Sequence, residues 1–225
     1  MITVRKAGDR GHFDFGWMDT WHSFSFGEYH DPRHRGFRSL RVINEDRIAP
    51  GSSFEAHSHS DMEILTYVLK GLLEHQDSVG NRLVIRAGEV QKMTAGTGIT
   101  HSESNPSKDE PVYLFQIWIR PAQRGLSPAY EQKMIGLAEA NNQLRLMPVK
   151  IQQDVSVYDC RLKQGGAVTH PVSAGRGVWV QVIEGAVDLD GNRLEGGDGA
   201  AVEDQPDLRL TAKNGVALFL LFDLA

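Results

Sequence analysis

The sequence contains two copies of a similar β-rich segment, one in each half of the chain. The first copy runs from Val68 to Val90 (VLKGLLEHQDSVGNRLVIRAGEV) and the second from Val182 to Ala200 (VIEGAVDLDGNRLEGGDGA). Both contain two apolar residues, a charged residue and Gly, then an acidic residue, then Gly-Asn-Arg-Leu, and finally a Gly followed by a carboxylate. Two β units in tandem explain this similarity better than chance. A chain of 225 residues can hold two such domains of roughly 100 residues each.

Short strands separated by turns dominate the rest of the sequence. Four stretches are rich in β-branched or aromatic residues and are bounded by Gly, Pro, Asn or Asp, namely FRSLRVINEDRIAPGSSF, MEILTYVLKG, NRLVIRAGEV and VYLFQIWIRP. Asp190-Gly191-Asn192 is typical of a tight hairpin. Only PAYEQKMIGLAEANN, residues 128–142, leaves room for one or two helical turns. The pattern predicts an all-β fold with few short helices.

The strand rhythm breaks between residues 130 and 145, in SPAYEQKMIGLAEANNQ. A long connection without strand character is typical of a domain boundary. We therefore expect an N-terminal domain of residues 1–135 and a C-terminal domain of residues 136–225.

The net charge of the chain is −5, so no overall electrostatic attraction to nucleic acid or acidic lipid is expected. The stretch HDPRHRGFRSLR, residues 30–41, is locally basic. A solvated surface loop is the ordinary interpretation of such a stretch. A contact surface for an anionic partner is the alternative.

The sequence carries no targeting pattern. Its first residues, MITVRKAGDRGHFDF, lack the apolar run of a signal peptide. The longest apolar run, VALFLLF, is far too short to cross a bilayer. Cys160 is the single cysteine, so no disulfide can form within the chain. These features predict a soluble, cytoplasmic protein without a membrane segment.

Two pairs of polar residues have the chemistry of metal ligands. His57 and His59 lie in FEAHSHSDMEILTYVLKG, and His101 and Glu103 lie in TAGTGITHSESNP. Because alternate side chains of a strand share a face, each pair points to one side. On neighbouring strands, three imidazoles and one carboxylate would converge on one point. A single His-x-His is more often surface polarity, but four polar groups inside a barrel are costly to desolvate without an ion, which favours a metal site.

These motifs resemble those of the cupin superfamily. GSSFEAHSHSDMEILTYVLKG is similar to the first cupin motif, and GTGITHSESN, with Gly98, His101 and Asn105, is similar to the second. More narrowly, WHSFSF, HSHSDMEILTYVLKG, EHQDSVGNR and TAGTGITHSESNP resemble the pirin family, strongly over the first 120 residues and weakly beyond. The resemblance implies two tandem cupin barrels of the jelly-roll type, the second of which has lost its metal site.

The resemblance also implies a ligand set. In many cupins the Glu of the first motif binds the metal, but Glu63 comes one position early and turns to the opposite strand face. Pirins are similar in this respect and use the residues that match His57, His59, His101 and Glu103. The pirin resemblance favours Fe(II), although the ligand types also suit Mn, Ni, Cu, Co or Zn.

The remaining histidines are weaker candidates. His75 lies on the hairpin after Gly71 and could point inward, which makes it an outer-shell candidate. His170 is the only histidine of the C-terminal domain and has no second ligand beside it, so a packing or surface role is expected.

Resemblance to bacterial pirins implies a flavonol (quercetin) 2,3-dioxygenase, which opens the central ring with dioxygen and releases carbon monoxide. In this scheme the flavonol 3-hydroxyl becomes more acidic at the cation, and Glu103, the expected catalytic residue, accepts its proton. The alternative is a non-enzymatic regulator that binds other proteins according to its metal redox state. A cupin acting on another small metabolite would use the same ligands. Oxygen consumption with a flavonol separates the enzyme from the regulator.

Overall fold

The computed structural model of the chain describes residues 1–136 and 141–225. Within these ranges the chain forms 21 strands and one 3₁₀ turn, Ala7–Asp9. The contacts divide the chain into two compact units. The first unit comprises Gly11–Leu137 and Pro148–Gln153, and the second comprises Met1–Arg10, Ala138–Met147 and Asp154–Ala225.

Twelve strands precede residue 135. They are β1 (Ile2–Arg5), β2 (Gly11–Asp14), β3 (Met18–His22), β4 (Leu40–Ile48), β5 (Ser53–His59), β6 (Glu63–Lys70), β7 (Leu72–Asp77), β8 (Arg82–Arg86), β9 (Glu89–Thr94), β10 (Ile99–Ser104), β11 (Val112–Ile119) and β12 (Ala129–Met134). The first unit contains β2 to β12 in two sheets. The larger sheet has the order β12-β9-β6-β11-β4-β3-β2, and the smaller has the order β5-β10-β7-β8.

The interior of the first unit is apolar in one part and polar in another. Alternate residues of β6 face inward, as the two-residue period of a strand requires. Val68 packs in a buried aliphatic cluster with Leu73 and Ile85 of the smaller sheet. Two residues earlier, the buried Thr66 donates a hydrogen bond to Gln116 of β11, with 3.0 Å between Oγ1 and Oε1. The strands that form an ordinary core therefore also enclose a layer of polar side chains.

Nine further strands complete the second unit. They are β13 (Arg145–Leu146), β14 (Val155–Leu162), β15 (Ala167–Pro171), β16 (Gly177–Glu184), β17 (Ala186–Leu189), β18 (Asn192–Glu195), β19 (Gly199–Glu203), β20 (Asp207–Thr211) and β21 (Ala217–Leu224). They form a larger sheet of order β1-β19-β16-β21-β14-β13 and a smaller sheet of order β15-β20-β17-β18. The core is aliphatic, and Cys160 is buried within it.

The N-terminal strand belongs to the second unit. β1 pairs antiparallel with β19, from Ile2 opposite Val202 to Arg5 opposite Gly199. The side chains of Ile2 and Val4 pack against the core of that unit. The division of the chain at residues 135 and 136 stays a prediction, and the contacts add that residues 1–10 group with the C-terminal strands.

A glycine at the same place in each repeat copy explains part of the repeat. Gly71 lies between β6 and β7, and Gly185 lies between β16 and β17, with φ of 77° and 72°. A Cβ on Gly71 would lie 2.7 Å from the carbonyl oxygen of Pro111, and one on Gly185 would lie 2.1 Å from that of Val216. Only glycine combines this conformation with so close a backbone approach. In each unit the chain passes from the larger to the smaller sheet at this point.

Two local expectations have different outcomes. The hairpin at Asp190-Gly191 is confirmed, since both residues have positive φ and connect β17 to β18. Helical turns were expected within residues 128–142, but Ala129–Met134 is a strand that pairs with β9. The free edge of β9 supplies hydrogen bonds that local propensity does not reveal. Residues 137–140, also within that range, lie outside the described residues.

Among the described residues there is no helix long and apolar enough to span a membrane.

Candidate metal centre

A cavity of about 520 Å³ lies in the first unit. Its wall is formed on one side by β2, β3, β4, β6 and β11 of the larger sheet and on the other by β5 and β10 of the smaller sheet. The wall includes all four side chains that the sequence suggests as ligands, His57, His59, His101 and Glu103. Glu63 is not among the lining residues. It is buried, with Oε2 3.7 Å from Lys92 Nζ and 3.1 Å from the backbone N of Gln152.

Three histidines converge because β5 and β10 are hydrogen-bonded neighbours. His101 lies directly opposite His57, and Ile99 lies opposite His59. The ring centroids are 4.5 Å apart for His57 and His101, 4.8 Å for His57 and His59, and 4.9 Å for His59 and His101. One ring nitrogen from each histidine lies within 4.8 Å of the other two. The condition that the sequence left open, adjacency of the two strands, is met.

Glu103 lies deeper in the same wall and is held by two amides. Gln91 Nε2 donates to Oε1 at 3.1 Å, and Gln116 Nε2 donates to Oε2 at 2.6 Å. A carboxylate oxygen of Glu103 lies within 4.8 Å of a ring nitrogen of His101 and of His75. His101 is therefore shared between two overlapping groups, one with His57 and His59 and one with His75 and Glu103.

Burial keeps the imidazoles of His59 and His101 neutral. Burial, with smaller contributions from His57, His59 and His75, lowers the pKa of His101 to about 3. Burial and the neighbouring His57 lower the pKa of His59 to about 4. Neutral imidazole has a free lone pair and is the form that binds a metal. Burial, together with the nearby Asp46, raises the pKa of Glu103 to about 7, against the opposing effect of its hydrogen bonds.

One buried nitrogen of this site lacks a hydrogen-bond partner within the protein. This atom is Nε2 of His101. Such orphaned buried atoms are rare in native proteins because their desolvation is costly. A cation among the three imidazoles would satisfy the lone pair, so the residues present fit a metal ion.

His75 lies behind the cavity wall rather than in it. It is fully buried on β7, opposite Glu103 of β10, and does not line the cavity. Its ring contacts those of His101, at 5.2 Å between centroids, and Tyr130, at 5.0 Å. This placement is compatible with the outer-shell role that the sequence suggests.

A row of ring contacts runs along the cavity wall from His59. Trp118 packs against His59 with centroids 4.8 Å apart, and Phe26 packs against Trp118 at 5.2 Å. His22 contacts Phe26 at 5.2 Å and continues the row to Phe13 at 5.4 Å. Such a wall suits a flat aromatic molecule, which gains from ring contacts as well as from burial.

Sequence reasoning missed part of the cavity wall. Asn44 and Asp46 line it from β4, and Gln116 lines it from β11. The available signal was polarity at alternate positions of a buried strand, LRVINEDRI, and a lone Gln within VYLFQIWI. The aromatic residues carried no comparable signal, because an inward-facing Trp is also an ordinary core residue.

In the metal-free protein, ionisation of Asp46 is expected to lower stability as pH rises from about 4 to 7, while the lowered pKa values of His59 and His101 act in the opposite direction. Burial raises the pKa of Asp46 to about 7, despite a hydrogen bond from Thr20. Over this range the folded state retains a proton on Asp46 that the unfolded state releases, so this carboxyl group makes the free energy of unfolding fall with pH. Asp46→Asn keeps the acceptor for Thr20 and removes the ionisation. We expect this variant to be more stable than wild type at pH 8 by about 2–4 kcal/mol.

Urea unfolding at pH 5 and pH 8, in the presence of a chelator, measures this difference. The exposed Asp207 on β20 provides the control, because Asp207→Asn should leave the pH dependence unchanged. If the free energy of unfolding changes by the same amount between pH 5 and pH 8 in wild type and in Asp46→Asn, the burial argument is contradicted.

Comparison with known proteins identifies the family. The Pirin family model matches residues 3–119, and the model described as the quercetinase C-terminal cupin domain matches residues 141–224. The chain is 46% identical to the quercetin 2,3-dioxygenase of Escherichia coli K12 over 100% of this chain and 99% of that protein. It is 36% identical to a pirin-like protein of Caulobacter vibrioides over 96% and 97% of the two chains.

A solved structure supports the same family assignment. The bacterial pirin YhhW from Escherichia coli, crystallised in complex with nickel(II), superposes with a TM-score of 0.95 at 44% identity, covering 100% of this chain and 99% of that one. The resemblance and the all-β class expected from the sequence are thereby confirmed. The chain belongs to the pirin family and is built from two cupin domains.

Proposed function

We propose that this protein is a metal-dependent quercetin 2,3-dioxygenase, acting on a flavonol or a similar aromatic substrate with dioxygen. The observation that carries the proposal is the group of three histidines, with the unpartnered Nε2 of His101, in the wall of an aromatic-lined cavity of about 520 Å³. The name of the Escherichia coli relative, which matches this chain along its whole length, supports the same activity.

His57, His59, His101 and Glu103 are the proposed ligands of one divalent cation. All four line the cavity, whereas His75 does not. Imidazole and carboxylate together suit Fe(II) as well as Ni(II), and a bacterial pirin has been crystallised with nickel(II). Of these we propose Fe(II) as the resident ion.

The bound cation supplies Lewis acidity, which lowers the pKa of a hydroxyl group placed on it. Glu103 is suited to accept the flavonol 3-hydroxyl proton because its carboxylate lines the cavity close to His101. Gln91 and Gln116 hold the Glu103 carboxylate in place through their amide hydrogen bonds. Trp118 and the adjacent rings provide flat surfaces against which the substrate packs.

The test is an oxygen-electrode assay of metal-loaded protein with quercetin, with carbon monoxide measured in parallel. We expect oxygen consumption and carbon monoxide release in equal amounts. Glu103→Ala should lose both metal content and turnover, the latter by a factor of about 10² or more. Glu195→Ala, which removes an exposed carboxylate from the second unit, is the control and should behave as wild type.

Two results would contradict the proposal. Turnover that survives removal of the metal would exclude the assigned ligands from the chemistry. A fully loaded protein that is inactive across a panel of flavonols would instead favour the non-enzymatic regulator.

A further inference from the structure

A buried carboxylate and a buried imidazole stand in line behind His101. Asp77 ends β7, and its side chain is completely buried, as is that of His75. His75 Nε2 lies 3.1 Å from Asp77 Oδ2, and His75 Nδ1 lies 3.4 Å from His101 Nδ1. We infer that Asp77 and His75 are positioning residues that fix the tautomer of His101 and so present its Nε2 lone pair to the cation. This inference rests on the proposed metal site.

Asp77 is held as a hydrogen-bond acceptor by the turn that follows it. Its Oδ1 accepts from the backbone N–H groups of Val79 and Asn81, both at 3.0 Å, and its Oδ2 accepts from Asn81 Nδ2 at 2.7 Å. Burial acts to raise the pKa of Asp77, but the hydrogen bonds from Asn81 and His75 outweigh it and the pKa lies below the usual value. An ionised carboxylate can only accept.

The donor and acceptor of each hydrogen bond from Asp77 through His75 to His101 can then be assigned. Because Asp77 accepts, His75 Nε2 must carry the proton. Charging a fully buried imidazole is costly, so the His75 ring holds one proton and its Nδ1 is an acceptor. His101 Nδ1 must therefore donate to His75, which leaves Nε2 of the neutral His101 without a proton. That nitrogen is the buried atom without a partner in the protein.

A direct ligand role for His75 is the competing arrangement, because His75, His101 and Glu103 also form a group of potential ligands. His75 is fully buried and does not line the cavity, so an ion bound there would be separated from His57 and His59. The positioning role instead leaves the ion on the cavity side, where substrate can reach it. Partners of this kind orient metal-binding histidines in many proteins.

Asp77→Asn is a nearly isosteric substitution that should reverse the direction of the hydrogen bonds from residue 77 through His75 to His101. The amide oxygen of Asn can still accept from the two backbone N–H groups, while its NH₂ group takes the Oδ2 position beside His75 Nε2, and the Asn81 amide turns over to present its oxygen to that NH₂ group. His75 would then carry its proton on Nδ1 and donate to His101 Nδ1. The proton of the neutral His101 ring would therefore have to lie on Nε2. We expect Ni(II) affinity to fall by about 10- to 100-fold with little change in fold.

The experiment combines imidazole ¹⁵N NMR of metal-free protein with Ni(II) titration. Wild type should show His101 protonated on Nδ1, and Asp77→Asn should show it protonated on Nε2. Asp188→Asn is the matched control, because Asp188 also accepts a turn N–H, from Gly191 at 3.0 Å, in a hairpin of the second unit. Its Ni(II) affinity should equal that of wild type.

Three results would overturn the inference: protonation of His101 on Nε2 in metal-free wild type, unchanged Ni(II) affinity in Asp77→Asn, or metallation of Nδ1 rather than Nε2 when Zn(II) is used as a diamagnetic probe. The tautomer is measured without metal, so the two failures can be told apart. If wild-type protein shows the expected tautomer but binds neither Ni(II) nor Zn(II), the proposed metal site fails and not the positioning of His101.

Discussion

Replacing His101 by alanine is expected to remove bound metal and flavonol turnover together. His101 is the one residue common to both groups of potential ligands, and its ring lies within 5 Å of those of His57 and His59. Without it, the two histidines on β5 lose the residue that groups with both them and Glu103, and the remaining ligands cannot retain a cation strongly. We expect metal content of the purified protein to fall close to zero and kcat/KM to fall by a factor of about 10³, measured by elemental analysis and oxygen consumption.

The matched control is His30→Ala, which removes an exposed histidine outside the cavity wall. Circular dichroism of the metal-free variants tests that both still fold. Full metal occupancy in folded His101→Ala would show that the cation lies elsewhere and would contradict the proposed ligand set.

Replacing Gly185 by alanine should cause a large loss of stability. The new Cβ would lie 2.1 Å from the carbonyl oxygen of Val216, and the backbone at Gly185 has a φ of 72°. Since the obstructing atom belongs to the backbone, no side-chain rotation relieves the contact, and the crossing between β16 and β17 must open. We expect the free energy of unfolding to fall by at least about 3 kcal/mol, as measured by urea unfolding.

Gly191→Ala separates the steric effect from the conformational one. Gly191 also has a positive φ, 88°, but nothing lies within 4 Å of the position of its Cβ. It should lose only about 1 kcal/mol, the cost of the left-handed conformation for a residue with a side chain. If the two substitutions cost the same, close approach of the backbone does not explain the repeated glycine.

The candidate site illustrates which features of a site are local. His57 and His59 face one way because a strand has a two-residue period, and the same holds for His101 and Glu103. Such pairs can be recognised in any sequence that is clearly a strand. The position of Asp46 in the cavity wall depends instead on β4 lying beside β3 and β11. Its raised pKa is a consequence of burial and has no counterpart in the order of residues along the chain.

The N-terminal strand shows the same limit at the level of the fold. Ile2–Arg5 is recognisable as a short β segment, but its partner Val202 lies 200 residues away. Nothing in the local pattern selects β19 over any other free edge. In the same way, the edge of β9 makes a strand of Ala129–Met134, where the residues alone allow helical turns.

The amino-acid sequence by itself determined the all-β class, the hairpin at Asp190-Gly191 and the two polar pairs, because each depends on conformational preferences within a few residues. The tertiary structure decided which strands are neighbours, which side chains enclose the cavity, and that Asp77 and His75 stand behind His101. These features arise from hydrogen bonds and burial between residues far apart in the chain, whose energies no local pattern contains.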